Sequence, residues 1–504
     1  MTIFRSHTAL LLALVLSVLP TTYGAATTLP WGDQHNNTYK NPVLNADYSD
    51  PDVIRVGNKY YMVASDFHFL GMQVLESADM LNWHIVSQVY DRFDYPGWDT
   101  NQHYAGGSWA PAIRWHDNRF YIFFCTPDEG LFMSEAEQAS GPWSPLHCVK
   151  AATKWEDPCP FWDDDGNAYL GRSQWGAGPI IVHRMSADGR QLLDEGVTVY
   201  TGPVAEGTKF LKRNGFYYLI IPEGGVGQGW QTVLRSRNIY GPYEKRVVLE
   251  QGSTDINGPH QGALVDTPDS TWWFYHFQET HPRGRVVHLQ PARWVDDWPL
   301  IGVDIDGNGI GEPVTVWDSP LKKQTLPYPQ SGNQEETDSF DDTTARYWVG
   351  QHQRPLGLHW QWNHNPDDKA WSLDEHKGWL TLHALDATNL KNSRNMLTRK
   401  TVGYESEAVT KLDLRHLKEG DRAGLRCIGN RFMGVGVCRQ QGSNHIYLEN
   451  DGQPLVIASY SRATVYLRVT IDSQTNSHLF FYSSDGRHYT PVGQPYSLRM
   501  GHWH

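Results

Sequence analysis

Three acidic residues each stand at the start of an apolar run that is typical of a β-strand. They are Asp50 in SDPD, Asp157 in WEDP and Glu206 in AEG. Two carboxyl groups in opposite protonation states can break a glycosidic bond, because one protonates the leaving oxygen while the other provides for attack at the anomeric carbon. The proline after Asp50 and after Asp157 predicts an extended backbone at both residues, which would help to fix the direction of each carboxylate.

The three carboxylates share one position in a repeated pattern, and the repeat indicates how they could meet. An apolar strand, a turn and a second strand with adjacent aromatic residues recur about every 50–60 residues, a period typical of β-propeller blades. We therefore expect a five-bladed β-propeller over residues 30–320, whose innermost strands bring the three carboxylates into one central funnel. Long amphipathic helices are missing from the sequence, which argues against an α/β barrel. The five instances of the repeat are Asp52–Ala64, Pro111–Cys125, Pro160–Gly171, Thr208–Ile221 and Ala263–Gln278.

The rest of the chain predicts a second all-β domain. Residues 321–338 contain two prolines and clustered polar residues without periodicity, so we interpret them as a linker. Short alternating runs bounded by turns follow, such as Trp379–His383, Ala408–Leu414 and Val465–Ile471. This pattern predicts a β-sandwich over residues 339–504.

Composition and the first residues favour a secreted protein that handles a neutral ligand. The 504 residues carry 56 acidic against 43 basic side chains, and the formal net charge of −13 disfavours nucleic acids and anionic membranes as partners. A positive start, an apolar stretch and small residues at a cleavage point predict a signal peptide at residues 1–24, and hence an extracellular location. The five cysteines lack metal-cluster spacing, but Cys427 and Cys438 could form a disulfide across a hairpin.

The repeats contain longer stretches that resemble glycoside hydrolase family 43. The resemblance implies a five-bladed propeller that acts as a β-xylosidase, an α-L-arabinofuranosidase or an arabinanase. The tail, with WQWNHNP from Trp360, resembles the concanavalin-like β-sandwich attached to many such enzymes. In that sandwich a further glycine-rich strand usually follows a tryptophan like that of the terminal MGHWH, so we expect a truncated domain. The matching stretches read NPVLNADYSDPDVIRVGNKYYMVAS from Asn41, GSWAPAIRW from Gly107, WEDPCPFWDDDGNAYLG from Trp155, AEGTKFLKRNGFYYL from Ala205, HQGALVDT from His260 and GRVVHLQPARWVDDWPLIG from Gly284.

The resemblance also implies a role for each of the three carboxylates. Asp50 matches the general base that activates water, with Asp52 as the alternative base. Glu206 matches the general acid. Asp157 matches the third carboxylate of the family, which tunes the pKa of the acid and orients it.

Four further matches concern the sugar pocket. His260 matches a histidine near the axis that often holds water or a structural calcium ion, although we expect no cofactor to be required. Arg285 matches an arginine that hydrogen-bonds sugar hydroxyls, with a surface salt bridge as the alternative. Phe67 and Trp109 match aromatic residues that line the pocket, with the propeller core as the alternative.

Together these features predict a secreted, inverting hydrolase that releases terminal xylose or arabinose from xylan, arabinoxylan or arabinan oligosaccharides. The sequence does not distinguish xylose from arabinose. Two other classes share the shape of the expected fold. A retaining, invertase-type fructosidase carries an NDPNG motif, which is replaced here by SDPDV. A propeller lectin would bind sugar without cleaving it, but it has no need for three axial carboxylates.

Overall fold

The computed structural model describes residues 29–100, 103–321, 338–342, 344–387 and 389–499. The expected signal peptide, residues 322–337 of the expected linker and the terminal MGHWH lie outside these ranges. The regular structure of the described residues consists of β-strands and one short 3-10 helix, Leu390–Asn392. Within the same ranges, no helix has the length and apolar character needed to cross a membrane.

Five antiparallel sheets follow one another along the first 301 residues. After β1 (Gly32–Asp33) and β2 (Thr38–Lys40), the chain forms four strands at a time, and each strand pairs with the next. Each sheet begins with one of the repeats found in the sequence, so the expected strand pairs are confirmed. The strands are β3 (Ser49–Val56), β4 (Lys59–Ser65), β5 (Gln73–Ser77) and β6 (His84–Gln88); β7 (Trp109–His116), β8 (Arg119–Thr126), β9 (Gly130–Ala136) and β10 (His147–Ala151); β11 (Trp155–Trp162), β12 (Ala168–Gln174), β13 (Ile180–Met185) and β14 (Val197–Tyr200); β15 (Lys209–Arg213), β16 (Phe216–Glu223), β17 (Trp230–Ser236) and β18 (Glu244–Leu249); and β19 (His260–Asp266), β20 (Trp272–Thr280), β21 (Gly284–Val295) and β22 (Trp298–Ile301).

The first strands of these sheets lie next to one another. Strand β3 contacts β7, β7 contacts β11, β11 contacts β15, and β19 contacts β3. The first strands therefore surround a shared centre, and the later strands of each sheet lie further out. In four of the sheets the first strand shifts register against the second near its N-terminal end, which re-aims the side chains there. These shifts fall between Ser49 and Asp52, Trp109 and Ala112, Glu156 and Cys159, and His260 and Gly262.

Apolar side chains hold neighbouring sheets together. The aromatic residues that mark the repeats lie on the second strands and are all buried, and they pack into the clusters between sheets. Burial of one such side chain contributes about 1.5–3 kcal/mol, so this packing stabilises each sheet against the next. The residues are Tyr61, Tyr121, Tyr169, Tyr218 and Phe274.

The C-terminal part of the chain forms two further four-stranded sheets around its own apolar core. Their strand orders are β30-β35-β36-β37 and β31-β32-β33-β34, and the side chains between them include Val435, Leu467 and Phe480. This two-sheet arrangement agrees with the expected sandwich. The remaining strands are β23 (Val316–Asp318), β24 (Tyr347–Val349), β25 (His352–Arg354), β26 (Gln361–Trp362), β27 (Trp371–Ser372), β28 (Thr381–Leu382), β29 (Leu397–Thr398), β30 (Glu405–Asp413), β31 (Arg422–Ile428), β32 (Phe432–Gln440), β33 (Ser443–Asn450), β34 (Gln453–Tyr460), β35 (Thr464–Asp472), β36 (Ser477–Ser483) and β37 (Thr490–Tyr496).

Residues beyond 338 are also tied to the first sheet. Strand β24 pairs in parallel with β6, so the first sheet has six strands in the order β25-β24-β6-β5-β4-β3. Closer to the centre, Lys400 Nζ lies 3.3 Å from Asp66 Oδ1, and the backbone N–H of Gly403 donates to the carbonyl of Asn45. Asp66 is buried, so this ion pair lies inside the protein between two parts of the chain that are distant in sequence.

The disulfide that Cys427 and Cys438 could form across a hairpin is absent. On the paired strands β31 and β32, Cys427 lies opposite Met433 and Cys438 lies opposite Arg422. The two cysteines therefore stand at different ends of the strand pair, too far apart for a bond that needs closely spaced α-carbons. All five cysteines are free thiols.

Candidate active site

Asp50 lies at the start of β3, buried among hydrogen-bond donors. Its Oδ2 accepts from the hydroxyl of Ser65 at 2.5 Å and from that of Ser49 at 2.8 Å. Arg285 Nη1 lies 3.5 Å from Asp50 Oδ1 and donates to Ser49 Oγ at 2.9 Å. Two hydroxyls and a guanidinium therefore fix the direction of the Asp50 carboxyl group.

Asp52, the alternative base, faces a different environment. Its Oδ2 pairs with Arg114 Nη1 at 2.6 Å and accepts the backbone N–H of Ile113 at 2.8 Å. Its side chain is fully buried, and Lys209 Nζ lies 3.9 Å from Oδ1. Asp52 is thus engaged in a buried ion cluster, and the geometry favours Asp50 as the base.

The expectation of an extended backbone before the two prolines is wrong. Asp50 has a φ of 54° and Asp157 a φ of 56°, in the left-handed region that residues other than glycine rarely adopt. Ala110 and Gln261, near the start of β7 and β19, each have a φ of 38°. All four lie where the first strand shifts register against the second. Strain of this kind costs about 1–3 kcal/mol per residue and is concentrated at functional sites, where it directs side chains.

Asp157 and Glu206 are joined through the main chain. Asp157 Oδ2 accepts the hydroxyl of Ser173 at 2.9 Å and the backbone N–H of Gly207 at 2.6 Å. Because Gly207 follows Glu206 directly, Asp157 fixes the backbone that carries Glu206. Glycine is needed at 207, since its φ is 63° and a β-carbon there would come within 2.5 Å of the Pro222 ring. Burial and the nearby Glu206 carboxylate raise the pKa of Asp157 to about 6.

Glu206 is more accessible than the other carboxyls, with 19% of its side chain exposed. Its Oε1 lies 2.9 Å from Nε2 of His260, which is buried at the start of β19. His260, which was expected to bind sugar or calcium, therefore contacts the carboxyl group of Glu206 directly. Its other ring nitrogen, Nδ1, is buried and has no hydrogen-bond partner among the described residues. A calcium ion near His260 stays a prediction.

A fourth carboxyl group, that of Glu156, lies beside Asp157 and Glu206, although the sequence pattern did not predict it. Glu156, Asp157 and Glu206 each provide one oxygen that lies within 4.8 Å of those of the other two. Burial, together with the charges of Asp157 and Glu206, raises the pKa of Glu156 to about 9. In a regular strand, Glu156 would point away from Asp157 because side chains alternate between faces. The register shift after Glu156 removes that alternation, and two adjacent acids in WEDP were the only sequence signal.

The expected pocket residues lie beside Asp50. The Arg285 guanidinium is 5.9 Å from the centre of the Phe67 ring, and Phe67 meets Trp109 edge to face at 6.1 Å. Arg285 is only 5% exposed, and its Nε also lies 3.3 Å from Oε1 of the part-exposed Glu279, so it pairs with Glu279 as well as with Asp50. Trp109 in turn meets Trp175 edge to face at 5.7 Å, and Trp175 is 44% exposed. Trp175 follows β12 and was not singled out in the sequence.

Two family models match this chain. That of Glycosyl hydrolases family 43 matches residues 39–299, and that of the Beta xylosidase C-terminal Concanavalin A-like domain matches residues 352–501. The first match spans more than half of the chain and contains every site residue named above. It also assigns the chain to a different family from that of the invertase-type fructosidases.

Curated relatives cover most of the chain. A Xylanibacter ruminicola protein with the name "Putative beta-xylosidase" is 62% identical over 94% of this chain and 86% of its own length. A Formosa agariphila "Beta-xylosidase" is 33% identical over 95% of this chain and 88% of its own length. A Bacteroides ovatus "Non-reducing end alpha-L-arabinofuranosidase" is 27% identical over 82% of this chain and 77% of its own length.

Solved structures give the same assignment. The GH43 protein BlXynB from Bacillus licheniformis superposes with a TM-score of 0.76 at 27% identity, over 91% of this chain and 90% of that one. A bifunctional GH43-CE from Bacteroides eggerthii gives a TM-score of 0.78 at 29% identity, and the match spans 90% of this chain but 58% of that one. The carboxylates at the start of the first strands and both domain matches thus lead to one conclusion: this chain belongs to glycoside hydrolase family 43 and carries the C-terminal concanavalin A-like domain found in β-xylosidases.

Proposed function

We propose that this protein is a secreted, inverting glycosidase that releases single terminal xylose or arabinose units from xylan, arabinoxylan or arabinan oligosaccharides. The observation that carries the proposal is the contrast between two carboxyl environments. Asp50 is surrounded by hydroxyl and guanidinium donors. Glu206 instead shares its surroundings with the carboxyls of Asp157 and Glu156. Two carboxyl groups in such different surroundings are typical of an acid and base pair.

In the proposed reaction, Glu206 gives a proton to the glycosidic oxygen while the bond from that oxygen to the anomeric carbon breaks. The bonding electrons stay with the oxygen. Asp50 removes a proton from a water molecule, whose oxygen attacks the anomeric carbon from the opposite face. Asp157 orients Glu206 through the N–H of Gly207, and its negative charge helps Glu206 to keep its proton until the substrate has bound.

The stereochemical outcome tests the inverting mechanism. An inverting site holds its two carboxyl groups about 6.5–9.5 Å apart, which leaves room for the attacking water. Proton NMR during hydrolysis of a β-xyloside should therefore show α-xylose as the first product, before mutarotation. Initial release of β-xylose would contradict the assignment of Asp50 as a base and would make it a nucleophile.

The pocket supports a small neutral sugar as the substrate. Phe67 lies beside the buried guanidinium of Arg285, which can donate to hydroxyls, and the rings of Trp109 and Trp175 follow, each in contact with the one before. Similar proteins include two named as β-xylosidases and one named as an arabinofuranosidase. Values of kcat/KM on aryl β-D-xyloside and α-L-arabinofuranoside should each exceed that on aryl β-D-glucoside by about tenfold or more, since an extra hydroxymethyl group must fit. Equal rates on the glucoside would contradict a pentose-sized pocket.

We further propose that the five sheets are the blades of a propeller over residues 30–320, joined by a linker at 321–338 to a sandwich at 339–504. Residues 1–24 then direct export and are removed. N-terminal sequencing of the protein from a culture medium should give a start near residue 25. Protein retained in cells with residues 1–24 intact would contradict secretion.

A further inference from the structure

Glu156 is a buried carboxyl that the reaction proposed above does not use. Its side chain is 6% exposed, and β11 places it opposite Ser173 of β12. The backbone N–H of Ala177 donates to it. Its Oε1 is buried and has no hydrogen-bond partner among the described residues. This oxygen environment is unusual, because buried polar atoms are almost always hydrogen-bonded.

The titratable groups that face Glu156 are acidic. Asp157 lies next to it on β11, Glu206 comes from the segment before β15, and Asp50 comes from β3. Strand β8 contributes the thiol of Cys125, whose pKa is raised well above its usual range by burial and by the charge of Asp157.

The nearest strand also carries a cation, but it is engaged elsewhere. Arg172 of β12 donates from Nε to His183 Nε2 at 3.0 Å, and its guanidinium stacks on the Trp155 ring at 3.6 Å. None of the described cations forms an ion pair with Glu156. With only carboxyls as charged partners, Glu156 is held in its protonated form, in which it can donate a hydrogen bond.

We propose that Glu156 is a positioning residue of the general acid, whose protonated carboxyl donates a hydrogen bond, directly or through one water, to the Asp157–Glu206 pair. Three oxygens within 4.8 Å of one another can all reach one water molecule at ordinary hydrogen-bond distance, about 2.8 Å. The inference rests on the proposed role of Glu206 as the acid.

The benefit arises while the substrate reacts. As Glu206 gives its proton to the glycosidic oxygen, it becomes negative beside Asp157, and the repulsion between the two charges opposes the transfer. A donor that stays neutral through this step stabilises the new charge without adding a third one. Glu156 keeps its own proton throughout, so it acts through Glu206 and does not touch the reacting bond.

Two replacements of Glu156 with side chains of similar volume separate the effect of its hydrogen-bond donor from that of its shape. Glu156→Gln keeps a donor in its amide group, whereas Glu156→Met has none. Each full-length variant is assayed with xylobiose, whose leaving group needs a proton, and with dinitrophenyl xyloside, whose leaving group does not. We expect Glu156→Met to lose about tenfold in kcat on xylobiose and less than twofold on the aryl substrate. The alkaline limb of the pH–rate profile of Glu156→Met should also move to higher pH, because the Glu206 carboxylate has lost a hydrogen-bond donor that stabilised it. Glu156→Gln should stay within about threefold of the wild type on both substrates, with its alkaline limb unmoved.

Three results would overturn the inference. Equal losses of Glu156→Met on both substrates would indicate a structural role, and no loss would indicate none. A downward shift of the alkaline limb in Glu156→Gln would show that Glu156 is charged. If Glu156→Met does not fold, infrared spectra decide: the wild type at pH 7 should show the C=O band of a protonated buried carboxyl, which Glu156→Gln should lack. Failure of the proposed function is recognised separately, because Glu206→Gln would then lose the same factor in kcat on xylobiose and on dinitrophenyl xyloside.

Discussion

Replacing Asp157 with asparagine should separate the charge of this residue from its shape. Asparagine keeps an oxygen that can accept the N–H of Gly207, so the backbone before Glu206 stays in place. What disappears is a negative charge beside the general acid. Without that charge, Glu206 loses its proton more easily, and its pKa falls. The alkaline limb of the pH–rate profile reports this loss, so it should move to lower pH in Asp157→Asn.

The size of the shift follows from the spacing of the carboxyls. The oxygens of the cluster all lie within 4.8 Å of one another. At that upper limit two unit charges repel by about 3.5 kcal/mol at an effective dielectric constant of about 20. This energy corresponds to about 2.5 pKa units. Because 19% of the Glu206 side chain is exposed, water screens part of the repulsion, and we expect the alkaline limb to move by only part of this amount.

Profiles of kcat/KM against pH, measured with xylobiose, provide the assay. A matched control is Asp164→Asn, which removes the same charge from an exposed residue in the turn beyond the other end of β11. This control should leave the alkaline limb where it is. In Asp157→Asn the acid limb, which reports protonation of Asp50, should move less than the alkaline limb, and in Asp164→Asn neither limb should move. If Asp157→Asn loses rate with its alkaline limb unmoved, Asp157 acts only by holding Gly207, and the argument from charge is refuted.

Three further predictions test other parts of the site. Glu206→Gln should lose xylobiose hydrolysis by about 10²-fold or more but keep most of its rate on dinitrophenyl xyloside, whereas Asp50→Asn should lose both; equal losses in Glu206→Gln would exclude it as the acid. Lys400→Met leaves Asp66 buried without its cation, so the free energy of unfolding measured with denaturant should fall by about 3 kcal/mol, and adding Asp66→Asn should restore part of it; additive losses would show that the pair is not coupled. Dialysis against EDTA should leave kcat on aryl xyloside within about twofold of the untreated enzyme, because no proposed step uses a metal ion; a loss restored by calcium would instead support the ion expected near His260.

The sequence was most informative where chemistry and repetition coincide. The positions of Asp50, Asp157 and Glu206 follow from their place in the repeat, and the structure brings Asp157 and Glu206 together as expected. Glu156 was missed because its direction depends on a register shift, which a pattern of side chains along one strand does not reveal. The left-handed backbone at the two aspartates was missed for a related reason, since the local preference before proline is overridden by pairing with the next strand.

Contacts between distant parts of the chain were also beyond the sequence pattern. No local signal places Lys400 beside Asp66, because the residues around a lysine do not show whether it lies at the surface or pairs with a buried acid. Nor does a local signal place His260 beside Glu206, since this contact joins β19 to the segment before β15. The disulfide considered for Cys427 and Cys438 is absent because it needs a pairing of the two strands that the actual register does not provide.

The ion pair between Asp66 and Lys400 also bears on how the protein is made. The two residues are 334 positions apart. At about 5–20 residues per second, a ribosome needs roughly 17–70 s to travel from one to the other. During that interval Asp66, which directly precedes Phe67, lacks its cation. The cation for this buried carboxyl therefore comes from a part of the chain that is made late, so a nascent chain that stalls before Lys400 leaves Asp66 without its ion pair.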